Sequence, residues 1–419
     1  MRILFVTYYW PPSGRASLHW PLAMIKNFPK FDLEPVVLTI NEDRFSQKDA
    51  SLLCLIDEKL KIYKSNSLDP FSIYKKFIGK RIDEPLVSSE VISKENKSFA
   101  HKISLWIRMN LFIPDARVGW YFSAMRKGKF IYKENKYDAV VSVGPPHSSH
   151  LIGKSLSKKY SIPHIPVLID PWTDIAYYKG FKRSKATLCL DNYFEKTVLD
   201  NSRHIIFVTK TTQNDFSNKY DFVKNKSSVL YWGFNEEDFE RLNIINNARE
   251  EKIILHAGNI FDYQNPIALW KNIKSEIDKG TKFRLRFVGT VSPAIRQSIK
   301  DYGLENITNF VGFIPYKNVL EEMMSADYLF VCASEPRHTP GKLFEYLRTG
   351  KKIIAFNDEN YEVQDILNEG NSGIQLPYNY DKNDIFKKLK NIKPNNSFSR
   401  KYNRSKIAEE FAKIIKSNL

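Results

Sequence analysis

The segment Thr339-Pro340-Gly341-Lys342-Leu343-Phe344-Glu345-Tyr346-Leu347-Arg348-Thr349-Gly350 carries the groups best suited to hold a phosphate. Thr339 can N-cap a helix, Pro340 suits its first position, and Gly350 can end it left-handed. Leu343, Phe344 and Leu347 then form an inward stripe. The free N–H groups of Gly341 and Lys342, with the Lys342 ammonium, would face an incoming anion. Glu345 lies one turn on, on the same face as Lys342, and can accept two hydroxyl hydrogen bonds of the kind a ribose offers. A plain capped helix with a surface Lys–Glu pair accounts for the same spacing.

Three further turns carry chemistry. Tyr8-Tyr9-Trp10-Pro11-Pro12-Ser13-Gly14-Arg15 leaves an apolar run; Gly14 can bring backbone to a ligand and Arg15 can grip an anion, or the pair is an ordinary turn with an exposed arginine. Val143-Gly144-Pro145-Pro146-His147-Ser148-Ser149-His150 offers His147 as a hydrogen-bonding group. Its two histidines lack a third ligand nearby, so no metal site is expected. Asp170, before Pro171, can orient a hydroxyl or simply form a turn. No Gly-x-Gly-x-x-Gly or Walker pattern is present, which disfavours nicotinamide cofactors and ATPase chemistry.

All of these turns need strands behind them. Ile3–Thr7, Val36–Ile40, Ala139–Val143, Ile165–Ile169 and Ile205–Thr209 read as one set, and 253–256, 285–288, 309–311, 328–332 and 353–356 as a second. Short apolar runs alternating with helical patterns predict α/β units around parallel sheets. The helix that starts near Thr339 therefore opens at the carboxyl edge of the second sheet, where open α/β folds bind ligands. The expected linker lies near Gly233, giving domains 1–232 and 236–399. Residues 404–419 form an amphipathic helix with Ile407, Ala408, Phe411, Ile414 and Ile415 on one face. The polar 45–100 region reads as an insertion beside the first sheet.

The 419 residues suit two or three domains, and 42% hydrophobic with 26% charged residues describes a globular chain. Cys54, Cys189 and Cys332 are scattered, so neither a disulfide framework nor a zinc site is supported. No signal peptide or membrane-spanning run is recognised, and a cytoplasmic location is expected. The net charge of +17 attracts polyanions. Residues 75–135 hold 13 Lys/Arg against 6 Asp/Glu, interleaved with Trp106, Phe112, Trp120 and Phe122. A peripheral grip on anionic lipid at the inner face of the plasma membrane and a solvated basic face are the two readings of that stretch. No nucleic-acid-binding module accompanies the charge.

Taken together, the motifs resemble glycosyltransferase family 4, retaining and metal-independent sugar transferases. The correspondence runs nearly end to end. It includes Tyr9 to Gly14, Gly144 to His150, Asp170 to Thr173, His256-Ala257-Gly258-Asn259, Phe310 to Tyr316 and Thr339 to Leu347. The resemblance implies a GT-B architecture: two Rossmann-like α/β/α domains facing across a cleft, with a C-terminal helix crossing back to the first. It implies a nucleotide-diphosphate sugar donor, no cofactor and no metal, and a glycan or lipid-linked acceptor in bacterial surface polysaccharide synthesis. His147, Lys342 and Arg15 would be catalytic. Gly14, Asp170, Gly258, Asn259, Phe313, Ile314, Pro315, His338, Thr339, Pro340, Gly341, Lys342 and Glu345 would bind the donor. Arg337 stands where the family's first motif glutamate is expected, and no cation follows Asn259. A GT-B nucleotide-sugar 2-epimerase and a non-catalytic sugar-nucleotide-binding subunit are the alternative readings.

Overall fold

The computed structural model of the chain describes residues 1–45, 47–67, 99–175, 181–242, 249–333 and 335–419, with backbone alone for 99–104. Two compact units result: Met1–Leu230 with Ala408–Leu419, and Tyr231–Ile407.

In the first unit the apolar runs become β1 (Arg2–Thr7), β2 (Glu34–Ile40), β3 (Lys61–Ser65), β4 (Ala139–Gly144), β5 (His164–Leu168), β6 (Ile205–Phe207) and β7 (Ser227–Val229). They form a parallel sheet in the order β3-β2-β1-β4-β5-β6-β7. The central strands are buried along nearly their whole length, so their sequences are continuous apolar runs rather than alternating ones. The chain builds outward from β1 to β3 and then returns to β4 on the other side of β1. The turns after β1 and β4 thus flank the point where strand order reverses.

The second unit repeats the plan with β8 (Lys252–Ala257), β9 (Phe283–Val288), β10 (Thr308–Gly312), β11 (Tyr328–Cys332), β12 (Lys352–Phe356) and β13 (Gly373–Leu376). These are also parallel, in the order β10-β9-β8-β11-β12-β13, with the reversal at β8 and β11.

The differences from expectation are at edges and ends. Residues 61–65, expected within an insertion, are edge strand β3, paired from Val36 with Lys61 to Ile40 with Ser65. The edge strands β7 and β13 were not anticipated; three or four residues at a sheet margin carry too little apolar signal. β6 stops at Phe207 because the Thr209 side chain N-caps the next helix, accepting from Thr212 N. The units divide between Leu230 and Tyr231, close before Gly233, which itself lies inside the second unit at φ +66°, where a Cβ would come within 2.4 Å of the Tyr402 carbonyl oxygen.

The last helix spans Arg404–Ser417. Its Phe411 is fully buried, with its ring centroid 5.6 Å from that of Trp20 and 5.5 Å from that of Phe28. Among the described residues, no helix is long and apolar enough to cross a membrane.

Candidate functional site

In the second unit the helix Gly341–Thr349 follows β11 and is tied to the sheet by Tyr346. Its buried hydroxyl accepts from Ala257 N at 2.9 Å, at the end of β8, and donates to the Phe330 carbonyl at 3.4 Å. This fixes the helix N-terminus beside the turn Gly258-Asn259. The helix begins at Gly341, with Pro340 as its N-cap, one residue later than expected. Thr339 does not cap it: its Oγ1 is buried without a hydrogen-bond partner among the described residues, because a proline at the cap position replaces the side-chain acceptor. Gly350 closes the helix left-handed at φ +69°, as its sequence position predicts.

Lys342 reaches across the strand ends, its Nζ 3.2 Å from His256 Nε2. It passes directly over Gly258, which sits at φ +105°; a Cβ there would lie 2.8 Å from Nζ. Among the described residues no carboxylate stands within ion-pair distance of this ammonium. Burial lowers its pKa to about 8, against the smaller opposing pull of Cys332 and Glu345. Three residues on, Glu345 accepts from the Tyr316 hydroxyl at 2.6 Å, and its recessed position raises its pKa above the usual carboxylate range.

The other expected donor residues border this spot along the sheet's carboxyl edge. Asn259 Oδ1 accepts from Thr290 N at 3.0 Å, so its side chain braces the turn after β9. After β10, Phe313 is 84% exposed, a ring with no covering contact to explain it structurally. Ile314 packs partly on the core, and Pro315 starts the helix that carries Tyr316. The loop bearing His338 is pinned by Asn360, whose Nδ2 donates to the carbonyls of Glu335 and His338.

In the first unit, the expected groups follow β1, β4 and β5. Gly14 is not at positive φ, and a Cβ there would meet only Gln47 at 3.6 Å, so nothing in the described fold requires glycine at this position. Arg15 lies with its guanidinium carbon 5.9 Å from the Tyr9 ring centroid. His147 stacks flat on Trp172, centroids 4.8 Å apart and planes 9° apart. Burial drives its pKa down to about 3, so it is neutral at ordinary pH and available only as a hydrogen-bonding group. Asp170 is recessed at the end of β5, and burial pushes its carboxyl up to about 6.

Several residues that shape these sites were not singled out from sequence. Asp115 reaches from a distant loop to the His147 helix, accepting from Ser148 N at 2.8 Å and Ser148 Oγ at 3.0 Å, while also accepting from Arg117 N. Trp172 is held by Asp191, whose Oδ1 accepts from Nε1 at 2.8 Å and whose other oxygen binds Arg183. Trp232 lies against Gly341, where a Cβ would sit 2.7 Å from its Cδ1. His256 appeared only as part of a motif, without a role. Their partners lie 19 to 109 residues away in the chain, beyond the reach of local spacing. Among the described residues no group of three or more His, Cys, Asp or Glu is arranged to hold a metal ion.

Residues 238–409 match the family model described as glycosyl transferases group 1. No curated protein sequence matches the chain closely. Among solved structures, the Anabaena protein HepE in complex with UDP superposes with a TM-score of 0.62 at 12% identity, covering all of both chains. Sucrose-phosphate synthase from Thermosynechococcus elongatus gives 0.61 at 12% identity over 99% of this chain and 98% of that one. The lipopolysaccharide outer core galactosyltransferase WaaB gives 0.59 at 13% identity over the whole of both. At these identities the likeness establishes the architecture: the chain has the GT-B fold, with a seven-stranded and a six-stranded parallel sheet.

Proposed function

We propose that the chain is a retaining glycosyltransferase that moves a sugar from a nucleotide-diphosphate sugar to a glycan or lipid-linked acceptor in bacterial surface polysaccharide synthesis. The observation that carries this reading is Lys342: a recessed cation at a helix N-terminus whose hydrogen-bond partner among the described residues is a neutral imidazole, with no carboxylate among them at ion-pair distance. A positive charge left uncompensated in this way favours an anion. The group 1 match over the same unit and the UDP bound to HepE support a nucleotide diphosphate as that anion.

In this reading the diphosphate rests on the Gly341 and Lys342 N–H groups and the Lys342 ammonium. Glu345 takes the ribose hydroxyls in place of Tyr316, and the base lies along Phe313 to Pro315. As the bond from the sugar's anomeric carbon to the diphosphate breaks, charge grows on the leaving oxygen, where Lys342 stabilises it without reorganising. The acceptor oxygen bonds to the same face of that carbon, and its proton passes to the departing phosphate oxygen. Neutral His147 hydrogen-bonds the sugar, Asp170 orients a hydroxyl, and Gly14 and Arg15 adjoin the phosphate. No metal enters this scheme, so activity should persist in EDTA. The exposed Phe122 and Phe130, on a helix with Arg126, Lys127 and Lys129, suit a peripheral grip on anionic lipid at the cytoplasmic face. The other part of the basic stretch, 75–98, lies outside the described residues.

Calorimetry with UDP tests the donor site. Lys342→Ala should keep the fold and lose about 10²–10³-fold in transfer, and Glu345→Ala should weaken UDP by about 1–3 kcal/mol. Affinity should be full below pH 8 and fall as pH rises through about 8, where Lys342 loses its proton. Unchanged UDP affinity in both variants would sink the assignment. Turnover of a UDP-sugar without any acceptor would indicate a 2-epimerase, and binding with no turnover a non-catalytic subunit.

A further inference from the structure

Among the described residues Lys342 is held over the strand ends by one polar contact, and that contact has a definite polarity. His256 is 1% exposed at the end of β8, and its Nδ1 lies 3.0 Å from the Phe330 carbonyl on β11. A carbonyl can only accept, so Nδ1 carries the imidazole proton. Nε2 is left with a lone pair facing Lys342 Nζ at 3.2 Å. Burial first, and the Lys342 charge second, keep the imidazole's pKa well below its usual value, against the pull of the Phe330 and Asn259 carbonyls. The ring therefore stays an acceptor and does not become a competing cation. The other titratable groups influencing Lys342 are Cys332 on β11, His338 in the loop before the helix and Glu345 one turn along it.

We infer that His256 is a positioning residue: it receives one Lys342 N–H and aims the remaining two at the diphosphate, without neutralising the charge. A carboxylate at position 256 would hold the lysine equally well but cancel the charge that the anion needs. An apolar residue would leave the four-carbon side chain free to swing away, with the loss of rotamer freedom then falling on each binding event. Gly258 completes the device, since any side chain there would occupy the path of Lys342. This inference rests on the donor-site reading above.

Two substitutions separate positioning from mere support of the sheet. His256→Asn keeps an N–H that can donate to the Phe330 carbonyl but removes the acceptor for Lys342. His256→Gln can place an amide oxygen near the former Nε2. UDP and uridine are titrated into each by calorimetry, with melting temperatures recorded. The expected result is a loss of about tenfold or more in UDP affinity for His256→Asn, unchanged uridine affinity, and recovery to within about threefold of wild type in His256→Gln. If His256→Asn fails to fold, His256→Leu replaces it with the same expected loss. UDP affinity in a folded Asn or Leu variant equal to wild type, while Lys342→Ala is weakened, overturns the positioning role alone. An equal fall for uridine and UDP, or a Gln variant no better than Asn, assigns His256 to packing and also overturns it. Wild type and Lys342→Ala binding UDP equally would instead remove the donor-site reading beneath it.

Discussion

At the scale of single residues, the two glycines picked out for ligand approach have opposite physical standing. Gly258 is at φ +105° with Lys342 Nζ in the space of its missing Cβ, whereas Gly14 is outside the left-handed region and a Cβ there would make only ordinary contact with Gln47 at 3.6 Å. Gly258→Ala should cost about 1–3 kcal/mol of stability from the left-handed backbone alone and weaken UDP about tenfold by displacing Lys342. Gly14→Ala should leave stability within about 0.5 kcal/mol. Urea midpoints and calorimetry check both, and equal effects at the two positions would contradict this account. Residue types and short spacings single out Lys342, Glu345, His147 and Asp170 in the sequence as candidates. What spacing could not supply were their partners. His256 is 86 residues from Lys342, and Tyr316 is 29 from Glu345.

At the scale of elements, strand identity was readable wherever burial made the apolar run continuous, as in β1, β4 and β11. It was unreadable at the sheet edges β3, β7 and β13. Helix starts show the same division. Thr209 caps the helix that follows it, a local event written in the sequence, while the His147 helix is capped by Asp115 from 33 residues away. Three donors converge on that buried carboxylate, although burial raises its pKa. Removing it would strand them, so Asp115→Ala should destabilise the first unit by about 1–3 kcal/mol. A shift in the urea midpoint worth less than about 0.5 kcal/mol would show that water replaces the cap.

At the scale of the whole molecule, acid sensitivity follows from histidines that are buried neutral. His147 and His164 are both lowered to about 3 by burial, and His150 and His256 are lowered well below the ordinary 6.5. His150 and His164 share the Ser142 hydroxyl at 2.8 and 2.7 Å, a buried network in which desolvation disfavours a charged ring. The unfolded chain therefore binds more protons than the folded one between about pH 6.5 and 3. The stability these groups contribute is complete above 6.5 and is lost as pH falls. Two such histidines alone give a slope of about 2.7 kcal/mol per pH unit once the unfolded imidazoles are charged. Asp170 works the other way: with its pKa raised to about 6, it adds stability as pH falls from 6 towards 4 and offsets about one proton. Thermal melts at constant ionic strength should decline from pH 6.5 to 5; a level or rising melting temperature would refute the neutral-histidine network.

The helix that closes the chain belongs to both units by sequence, its first residues with the second and Ala408–Leu419 with the first. The unit that begins at Met1 is therefore completed only after residues 408–419 have been made, when Phe411 and Ile415 can enter its core. During synthesis all seven strands of the first sheet are made by residue 229, yet the unit around them receives its last helix only after every strand of the second sheet has been made. A fragment of residues 1–230 should remain protease-sensitive until a peptide of residues 404–419 is added in trans.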